Sequence, residues 1–323
     1  MTEPVVSVVM SVFNGEALLP FAMASVLGQE GIEFEVVVVD DGSTDRTADL
    51  LERYAADDAR VRVLRQRNAG LTRALIWGCR EARGTFIARQ DVDDISTPGR
   101  LKKQAELLVA DPTLAMVSSW VVYFGPRGEV LDEVRRTADA AQATRDLLES
   151  HSGVVHGSVM FRKEHYDKVG GYREEFYFAQ DSDLWLRIGE VGRLAFVQET
   201  LYMLRISEKS LSSRYAAAQS QLGELSHECQ KARRAGRAEE SSLAAARCLR
   251  PDLIPDSKVD PYGVAGLWFL SRCLLSRRAR RGLRYAFDYV RRRPLDPRGW
   301  ASAAWGAVTA RESGASVSVL GIG

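Results

Sequence analysis

The feature that most constrains this fold is a regular alternation of strand and helix patterns over the first 110 residues. Four apolar segments, at 5–12, 34–40, 61–65 and 85–90, are each followed by turn or capping residues and then by helical spacing. The first two are nearly continuous runs of β-branched side chains, as expected for parallel strands that helices cover on both faces. The sequence therefore predicts an α/β fold with a Rossmann-like, mostly parallel sheet.

The pattern changes along the rest of the chain. Further strands are predicted at 114–124, 157–162 and 194–206, with helices at 139–149, 163–169 and 181–191. After Tyr215 the strand pattern is absent, and helices are predicted at 216–249, 262–276, 278–292 and 297–310, with a proline-containing linker at 250–261. We therefore expect two domains, an α/β domain over 1–215 and a helical module over 216–323.

Charge divides the chain at the same place. Residues 1–215 hold 26 basic and 33 acidic side chains, whereas residues 216–323 hold 18 basic and 10 acidic ones. A basic helical module suits a polyanionic surface such as anionic lipid, and solvated helical faces are the alternative. Nucleic acid is not expected as a partner, because no nucleic-acid-binding fold or aromatic platform accompanies the charge.

Cysteine spacing and hydropathy exclude several classes. The four cysteines form no C-x-x-C pair, which argues against a disulfide scaffold or a zinc ribbon. The first ten residues, MTEPVVSVVM, carry an acid at Glu3 and no basic stretch before the apolar run, so they predict a strand and not a signal peptide. No apolar run approaches the ~18 residues of a spanning helix. We therefore expect a cytoplasmic protein.

Candidate ligand-binding residues follow each of the four early strands. The carboxyl ends of parallel strands meet at one edge of a sheet, where ligands bind. The residues predicted at that edge are Ser11, Phe13, Asp40, Asp41, Asn68, Gly70, Asp91, Asp93 and Asp94. Carboxylates, small polar groups and one aromatic ring at a single edge suit a sugar nucleotide held with a divalent metal.

The Asp-Val-Asp-Asp cluster at 91–94 is the strongest single signal. Strand alternation puts Asp91 and Asp93 on the same side. Carboxylates this close repel each other and are best tolerated where Mg²⁺ or Mn²⁺ neutralises them. Such a metal would also neutralise a diphosphate leaving group. The alternative is an acidic turn that caps the helix after Pro98, and an N-cap role is equally open for Asp41.

Seven ordered segments spanning residues 5–206 resemble the family-two inverting glycosyltransferases, which have a GT-A fold. The segments are SVVMSVFNGE, VVVVDDGSTD, NAGL, ARQDVDDISTPGRL, HGSVMFR, QDSDLWLR and LYMLR. The resemblance implies transfer of a sugar from a nucleotide-sugar, above all a UDP-sugar, to a hydroxyl of a glycan or lipid-linked acceptor. It also implies inversion at the sugar, a Mn²⁺ or Mg²⁺ cofactor, and a setting in bacterial surface-glycan synthesis.

The resemblance also implies roles in the nucleotide pocket. Ser11 and Phe13 would line the base and ribose, and Asp41 would accept the uracil N–H with Asp40 supporting its turn. Asn68 and Gly70 would shape the loop on the nucleotide side.

Further roles concern the sugar and the diphosphate. Asp91 and Asp93 match the D-x-D motif at the metal, with Asp93 as the ligand and Asp91 nearer the ribose or sugar. Asp94 would support the site. Arg73 is expected on the helix surface, and a phosphate contact is its alternative.

On the acceptor side, Asp181 falls where the family carries its general base, a carboxylate that removes the proton of the acceptor hydroxyl. The sequence departs from the family here, because the usual Glu-Asp pair is Gln180-Asp181. Acceptor choice would change if that Glu binds the acceptor. Asp183 is a reserve candidate for the base.

Three more residues are candidates on the acceptor or diphosphate side. His156 lies in a segment that usually has the sequence His-Pro-Ser, and a structural hydrogen-bonding role is its alternative. Trp185 is expected in the core, with sugar stacking as the alternative. Arg205 aligns near the diphosphate or a closing loop, and the polar segment 207–214 is a candidate lid.

The Arg-rich module lies outside the resemblance. Its helix near 262–276 alternates apolar residues such as Trp268, Leu270 and Leu274 with arginines that continue through 281. Such a helix can lie in a membrane interface, so docking on the inner membrane face is a hypothesis. The alternative is a helical cap whose apolar side packs against protein.

Two other functions remain open. A catalytically silent subunit that binds sugar nucleotides or glycans is supported only by Gln180. A sugar nucleotidyltransferase would need a Gly-rich, Arg-containing loop after the first strand, where this chain has Phe13-Asn14-Gly15-Glu16.

Overall fold

The computed structural model describes residues 4–149, 154–207, 214–251, 264–276 and 281–309. The strands in these residues are β1 (Val6–Val12), β2 (Phe34–Asp40), β3 (Val61–Arg65), β4 (Phe86–Asp91), β5 (Ile95–Ser96), β6 (Leu114–Phe124), β7 (Val130–Val134), β8 (Met160–Arg162) and β9 (Arg193–Arg205). The helices are α1 (Leu19–Leu27), α2 (Thr47–Asp57), α3 (Leu71–Glu81), α4 (Arg100–Ala110), α5 (Ala140–Glu149), α6 (Lys163–Lys168), α7 (Gln180–Gly189), α8 (Ala216–Arg234), α9 (Glu240–Arg247), α10 (Val264–Ser276), α11 (Arg281–Arg292) and α12 (Pro297–Thr309).

The strands form one mixed sheet in the order β3-β2-β1-β4-β8-β6-β9-β5, with β7 paired to β6. The first four strands pair in parallel, as their continuous apolar runs predicted. The strands from the second half join differently, since β8 pairs antiparallel with both β4 and β6, and β5 pairs antiparallel with β9. The α/β prediction is thus confirmed, and the sheet is mixed because β8 and β5 run antiparallel to their neighbours.

Helices cover both faces of this sheet, as predicted. Alternate residues of β1 divide between the faces: Val8 and Met10 pack with helices α1, α2 and α4, whereas Val9 packs with α3. Helices α5, α6 and α7 complete the second face through residues such as Leu147, Tyr166 and Leu184. This packing buries both faces of the parallel strands and leaves their carboxyl-terminal edge for function.

The chain forms two compact units, each assembled from separate stretches of sequence. The first contains Met1–Val121, Arg135–Leu204 and Leu222–Arg250, and the second contains Val122–Val134, Arg205–Gln221 and Pro251–Gly323. The expected boundary at residue 215 stays a prediction about domains. Residues 222–250 belong to the first unit. Within that unit, Arg233 of α8 forms a 2.8 Å ion pair with Glu190.

The second unit has its own small core. Leu131 of β7 packs with Leu267, Leu270 and Leu274 of α10 and with Tyr285 of α11. The Tyr285 hydroxyl donates to the buried Glu129 carboxylate at 3.0 Å. The apolar face of α10 is therefore occupied by protein, which favours the packing alternative for this helix. Residues 277–280, whose arginines were part of the membrane hypothesis, lie outside the described residues.

The remaining differences from the sequence predictions are local. Strands β5 and β7 were not predicted, and the helix expected over 216–249 is two helices, α8 and α9. Almost all of the predicted linker and most of the candidate lid, residues 208–213, lie outside the described residues. Within the described part of the chain, no helix is both long and apolar enough to cross a membrane.

Candidate active site

Strand register brings the predicted edge residues together. Ser11 of β1 is paired with Asp91 of β4 on one side and with Val39 of β2 on the other. The next residue, Val12, is paired with Asp40. The carboxyl ends of β1, β2 and β4 therefore meet at one edge, as the parallel arrangement requires. Phe13 follows β1 and is 49% exposed, so its ring is available to a ligand.

The Asp41 side chain holds the loop after β3. Its Oδ1 accepts from the backbone N–H of Ala69 at 2.8 Å and from Gln66 Nε2 at 2.6 Å, and its Oδ2 accepts from the N–H of Gly70 at 2.8 Å. A carboxylate has about four lone-pair directions, so these three bonds leave one of them. Asp40 supports its own turn by accepting from the N–H of Ser43 at 3.0 Å.

Gly70 lets the segment before α7 approach the nucleotide-side loop. It has φ +90°, and a Cβ at this position would lie 2.3 Å from the Tyr177 hydroxyl oxygen. The Thr72 hydroxyl donates to the Tyr177 carbonyl at 3.3 Å. Asn68, two residues earlier, is exposed. The loop predicted to contact the nucleotide is therefore packed against the segment that leads to Asp181.

Asp91 is held by a fully buried arginine that precedes it in β4. Arg89 Nη2 lies 2.5 Å from Asp91 Oδ1, and Arg89 Nη1 donates to the Val9 carbonyl at 2.7 Å. Burial acts to raise the pKa of Asp91, but the charge and hydrogen bond of Arg89, together with the Arg100 cation and other neighbours, hold that pKa below its usual value. Asp91 is therefore a fixed carboxylate, with one oxygen committed to Arg89.

His156 accepts hydrogen bonds in the same network. Arg89 Nε donates to His156 Nε2 at 3.1 Å, and the Tyr172 hydroxyl lies 2.7 Å from the same nitrogen. Since Arg89 can only donate, Nε2 carries no proton, and Tyr172 is the second donor. Burial and the neighbouring Arg89 cation lower the pKa of His156 to about 3. The ring is therefore neutral, in agreement with the structural alternative, and direct acceptor contact stays a prediction.

A second buried arginine ties the 91–94 turn to the segment around residue 157. Arg100 Nη2 donates to the carbonyls of Arg89 at 2.7 Å and Gly157 at 2.8 Å, and its guanidinium lies 4.8 Å from the Tyr202 ring centre. The Tyr202 hydroxyl donates to Asp94 Oδ2 at 2.9 Å. Asp94 is thus a buried supporting residue, as expected. Sequence analysis missed Arg89, Arg100 and Tyr202, although an arginine inside an apolar strand was a visible signal.

Gly157 has no room for a side chain. A Cβ there would lie 1.8 Å from the buried Tyr202 hydroxyl oxygen and 2.9 Å from Asp91 Oδ2. We predict that Gly157→Ala lowers the free energy of unfolding by about 1–3 kcal/mol, because Tyr202 cannot move without breaking its bond to Asp94. Urea denaturation measures the change.

Gly223→Ala is the matched control for this prediction. Gly223 lies in α8, and a Cβ there would meet no heavy atom of the described residues within 4 Å. Because alanine favours a helix, this variant should gain about 0.5–1 kcal/mol of stability. Equal unfolding midpoints for the two variants would contradict the predicted crowding at Gly157.

Asp181 lies in the first turn of α7 and accepts from the N–H of Ser182 at 2.9 Å. Burial raises the pKa of Asp181 to about 6, and the negative charge of Asp91 adds to this rise. A carboxylate with a pKa near the working pH is suited to take up a proton. The charge interaction places Asp91 within electrostatic reach of Asp181.

The neighbours of Asp181 are buried. Gln180 is almost completely covered, and its Oε1 has no hydrogen-bond partner among the described residues. Asp183 is buried in an ion pair with Arg187, 2.5 Å away, which leaves it unsuited to be the reserve base. Trp185 packs in the core, 5.7 Å between ring centres from Phe161 and 5.9 Å from His156, as its core interpretation predicted.

A ladder of ion pairs connects α7 to residues 222–250. Arg173 lies 3.8 Å from Asp183 Oδ1 and forms a 2.6 Å ion pair with Glu239. Arg233 forms one 2.8 Å ion pair with Glu239 and another with Glu190. These side chains are mostly buried, so solvent screens their attraction less than at the surface. The ladder fixes the helix that carries Asp181. No local sequence pattern pointed to it.

The acidic turn fits a metal that arrives with its substrate. No group of three or more His, Cys, Asp or Glu side chains within the described residues forms a complete protein metal cage. Mg²⁺ and similar ions are often held by one or two carboxylates together with substrate phosphates and water. Asp93, half-buried at the edge, would supply the first carboxylate, and Asp91, with one oxygen on Arg89, a second contact.

Two predicted arginines occupy other places. Arg73 forms an exposed ion pair with Glu174 at 2.8 Å, which agrees with the surface interpretation. Arg205 ends β9 in the second unit, where its guanidinium lies 4.5 Å from the Phe124 ring centre. Its predicted role near the diphosphate stays a prediction.

The fold is shared with solved GT-A glycosyltransferases. A mannosyltransferase from Pyrobaculum calidifontis, in complex with GDP-Man and Mn²⁺, aligns with a TM-score of 0.55 and 21% identity over 95% of this chain and 87% of that chain. S. aureus TarS 1-349 in complex with UDP-GlcNAc aligns with a TM-score of 0.53 and 16% identity over 93% of this chain and 88% of that chain. These alignments show that the fold is of the GT-A type.

The family follows from sequence comparison. Residues 7–170 match the model of Glycosyl transferase family 2, and the chain belongs to this family. EpsE of Bacillus subtilis, a glycosyltransferase by name, is 34% identical over 211 residues, which is 62% of this chain and 73% of EpsE. EpsJ of the same organism is 30% identical over 65% of this chain and 63% of its own length.

Proposed function

We propose that this protein is an inverting glycosyltransferase that moves a sugar from a UDP-sugar to a hydroxyl of a glycan or lipid-linked acceptor. The observation that carries the proposal is the Asp181 carboxylate, whose pKa burial raises to about 6 and whose charge interacts with Asp91 at the strand edge. A base next to the donor site suits direct transfer, because the acceptor must lose a proton as it attacks.

In the proposed step, the acceptor oxygen forms a bond to the anomeric carbon while the bond from that carbon to the diphosphate breaks. The acceptor proton passes to Asp181 Oδ, and the electron pair leaves with the nucleoside diphosphate. Attack opposite the leaving group inverts the anomeric centre. The transition state has oxocarbenium character, which the fixed negative charge of Asp91 would stabilise.

The donor would bind along the carboxyl ends of β1, β2 and β4. Ser11 and the exposed Phe13 ring would line the base and ribose, and the remaining lone pair of Asp41 would accept the uracil N–H. Asn68 and Gly70 would close the nucleotide side. Asp93, with Asp91 nearby, would hold Mn²⁺ or Mg²⁺, which supplies neutralisation of the diphosphate as it leaves.

The acceptor side would lie near Asp181. Gln180, His156, Trp185 and Arg205 remain candidates for positions around the acceptor or diphosphate. Gln180, His156 and Trp185 are wholly or partly buried. We therefore propose that they affect the acceptor by shaping the protein surface around its binding site. We also propose a cytoplasmic protein that contacts the anionic inner face of a membrane through its C-terminal helices.

The first test is Mn²⁺-dependent release of nucleoside diphosphate from UDP-, GDP- and dTDP-sugars. We expect slow hydrolysis of one UDP-sugar, lost with a chelator. Asp93→Ala should weaken Mn²⁺ binding in the presence of UDP by at least about tenfold, because a carboxylate ligand is removed. Isothermal titration measures that affinity independently of turnover.

The outcomes separate the alternatives. Binding of UDP without turnover, even with a range of glycan acceptors, would favour a silent binding subunit. Unchanged Mn²⁺ affinity in Asp93→Ala would contradict the assigned ligand. Failure to bind UDP at all would contradict the nucleotide pocket at Asp41.

A further inference from the structure

The turn between α11 and α12 exposes apolar and cationic side chains together. Arg291, Arg292 and Arg293 are exposed at the end of α11, and Leu295, two residues later, is 95% exposed. Trp300, in the first turn of α12, is 53% exposed. We call these five residues the basic turn. A leucine this exposed favours burial against an apolar partner.

Internal contacts hold the basic turn in shape. The Trp300 indole N–H donates to the Pro294 carbonyl at 2.9 Å, which fixes the ring beside the turn while much of it stays exposed. Asp296, the acid within the turn, is bound by Arg298 at 2.6 Å and by the Tyr289 hydroxyl at 2.6 Å. This acid is therefore paired within the turn itself, and Arg291 lies 3.7 Å from a second acid, Asp288. With three consecutive arginines, the local charge is still net positive.

The exposed face of α11 also combines cationic and apolar side chains. Tyr285, Ala286, Tyr289 and Val290 are buried in the second unit. On the opposite side, Arg284 is exposed and Phe287 is 48% exposed, and helical spacing places both in a row with Arg291. The exposed surface thus combines cations with large apolar side chains, as in helices that lie in a membrane interface.

We propose that the basic turn binds the surface of an anionic membrane, with Leu295 and Trp300 entering the interface and the arginines contacting lipid phosphates. Tryptophan favours this depth because its ring is apolar and its N–H is polar. A nucleic acid would use the arginines and aromatic rings but would leave Leu295 in water. The inference deepens the membrane part of the proposed function, and the binding itself requires no sugar donor.

Flotation of the full chain with vesicles tests this inference. We expect binding to phosphatidylcholine vesicles that contain phosphatidylglycerol, weaker binding at high salt, and little binding to phosphatidylcholine alone. Leu295→Asp should weaken binding by about tenfold or more, because a charge replaces the inserted side chain. Replacing all three arginines with glutamine should weaken it by about 100-fold.

Val109→Asp is the matched control. Val109 is 67% exposed on α4, so the same change from apolar to acidic is made in the first unit. We expect its vesicle binding to equal that of the wild type. Equal binding by Leu295→Asp and Val109→Asp, or no flotation with phosphatidylglycerol at low salt, would overturn the inference.

Two readouts keep this inference distinct from the proposed function. Nucleoside diphosphate release, measured in solution without lipid, should be unchanged in Leu295→Asp. Loss of flotation with intact release supports the basic turn as a lipid site. Release without any flotation of the wild type would overturn the lipid inference and leave the transferase proposal standing.

Discussion

Asp181→Asn is expected to lower the rate of sugar transfer by about 10²–10⁴-fold, with donor affinity within about twofold of the wild type. The amide cannot take up the proton that the acceptor hydroxyl must lose. Its shape is nearly that of the carboxyl group, so the hydrogen bond from the Ser182 N–H is retained. Transfer rates at saturating donor and acceptor, together with UDP titration, measure the two effects separately.

The pH profile gives a second readout for the same carboxylate. The base works only when ionised, and burial raises the pKa of Asp181 to about 6. Wild-type transfer should therefore rise with pH through about 6 and level off above it, whereas the residual activity of Asp181→Asn should lack this step.

Asp139→Asn is a suitable control. Asp139 also accepts backbone N–H groups at the start of a helix, from Ala141 at 2.8 Å and Gln142 at 3.1 Å, but it is exposed just before α5. Its replacement should leave the transfer rate unchanged. If Asp181→Asn retained more than a tenth of wild-type activity and kept the step in its pH profile, the base would have to be another group.

Arg89→Met should lower the free energy of unfolding by about 3–5 kcal/mol. Methionine fills part of the volume but leaves the Asp91 carboxylate without its cation and His156 Nε2 without one of its two donors. The Val9 carbonyl also loses its bond from Nη1. The pKa of Asp91 should rise as the attraction of Arg89 is removed, so the negative charge of Asp91 would no longer be fixed beside the proposed sugar-donor site.

Urea denaturation of a small variant set checks this expectation. Arg73→Met removes an exposed pair with Glu174 and should cost no more than about 1 kcal/mol. Adding Asp91→Asn to Arg89→Met should recover part of the loss, because the unpaired charge disappears. Equal costs for Arg89→Met and Arg73→Met would show that the buried network contributes little.

The sequence was informative about everything that depends on local pattern. Continuous β-branched runs predicted β1 and β2, and the rule for parallel strands correctly predicted that Ser11, Asp40 and Asp91 share one edge. The motif order then predicted the family that comparison shows. Short elements such as β5 were missed, because two residues carry no periodicity and form a strand only by pairing with β9.

The contacts that hold the site residues in place could not be predicted from local sequence patterns. Arg89 donates to His156, which also bonds the Tyr172 hydroxyl, and these residues from distant parts of the sequence come together only in the folded chain, where β4 and β8 are paired. Gly157 differs from the usual proline of its segment, and the reason for a glycine appears only with Tyr202 beside it. The ion-pair ladder through Glu239 is non-local in the same way.

The ion-pair ladder sets the smallest piece of this chain in which α7, the helix that carries Asp181, keeps its partners. A truncation designed from motifs alone would stop near residue 206, after LYMLR. It would remove Glu239 and Arg233. Arg173 would then keep its ion pair with Asp183 in the first turn of α7, while Glu190, just after the end of α7, would lose its ion pair with Arg233. An engineered catalytic fragment should therefore extend through Arg250, and helices beyond the recognised motifs count as part of the catalytic unit.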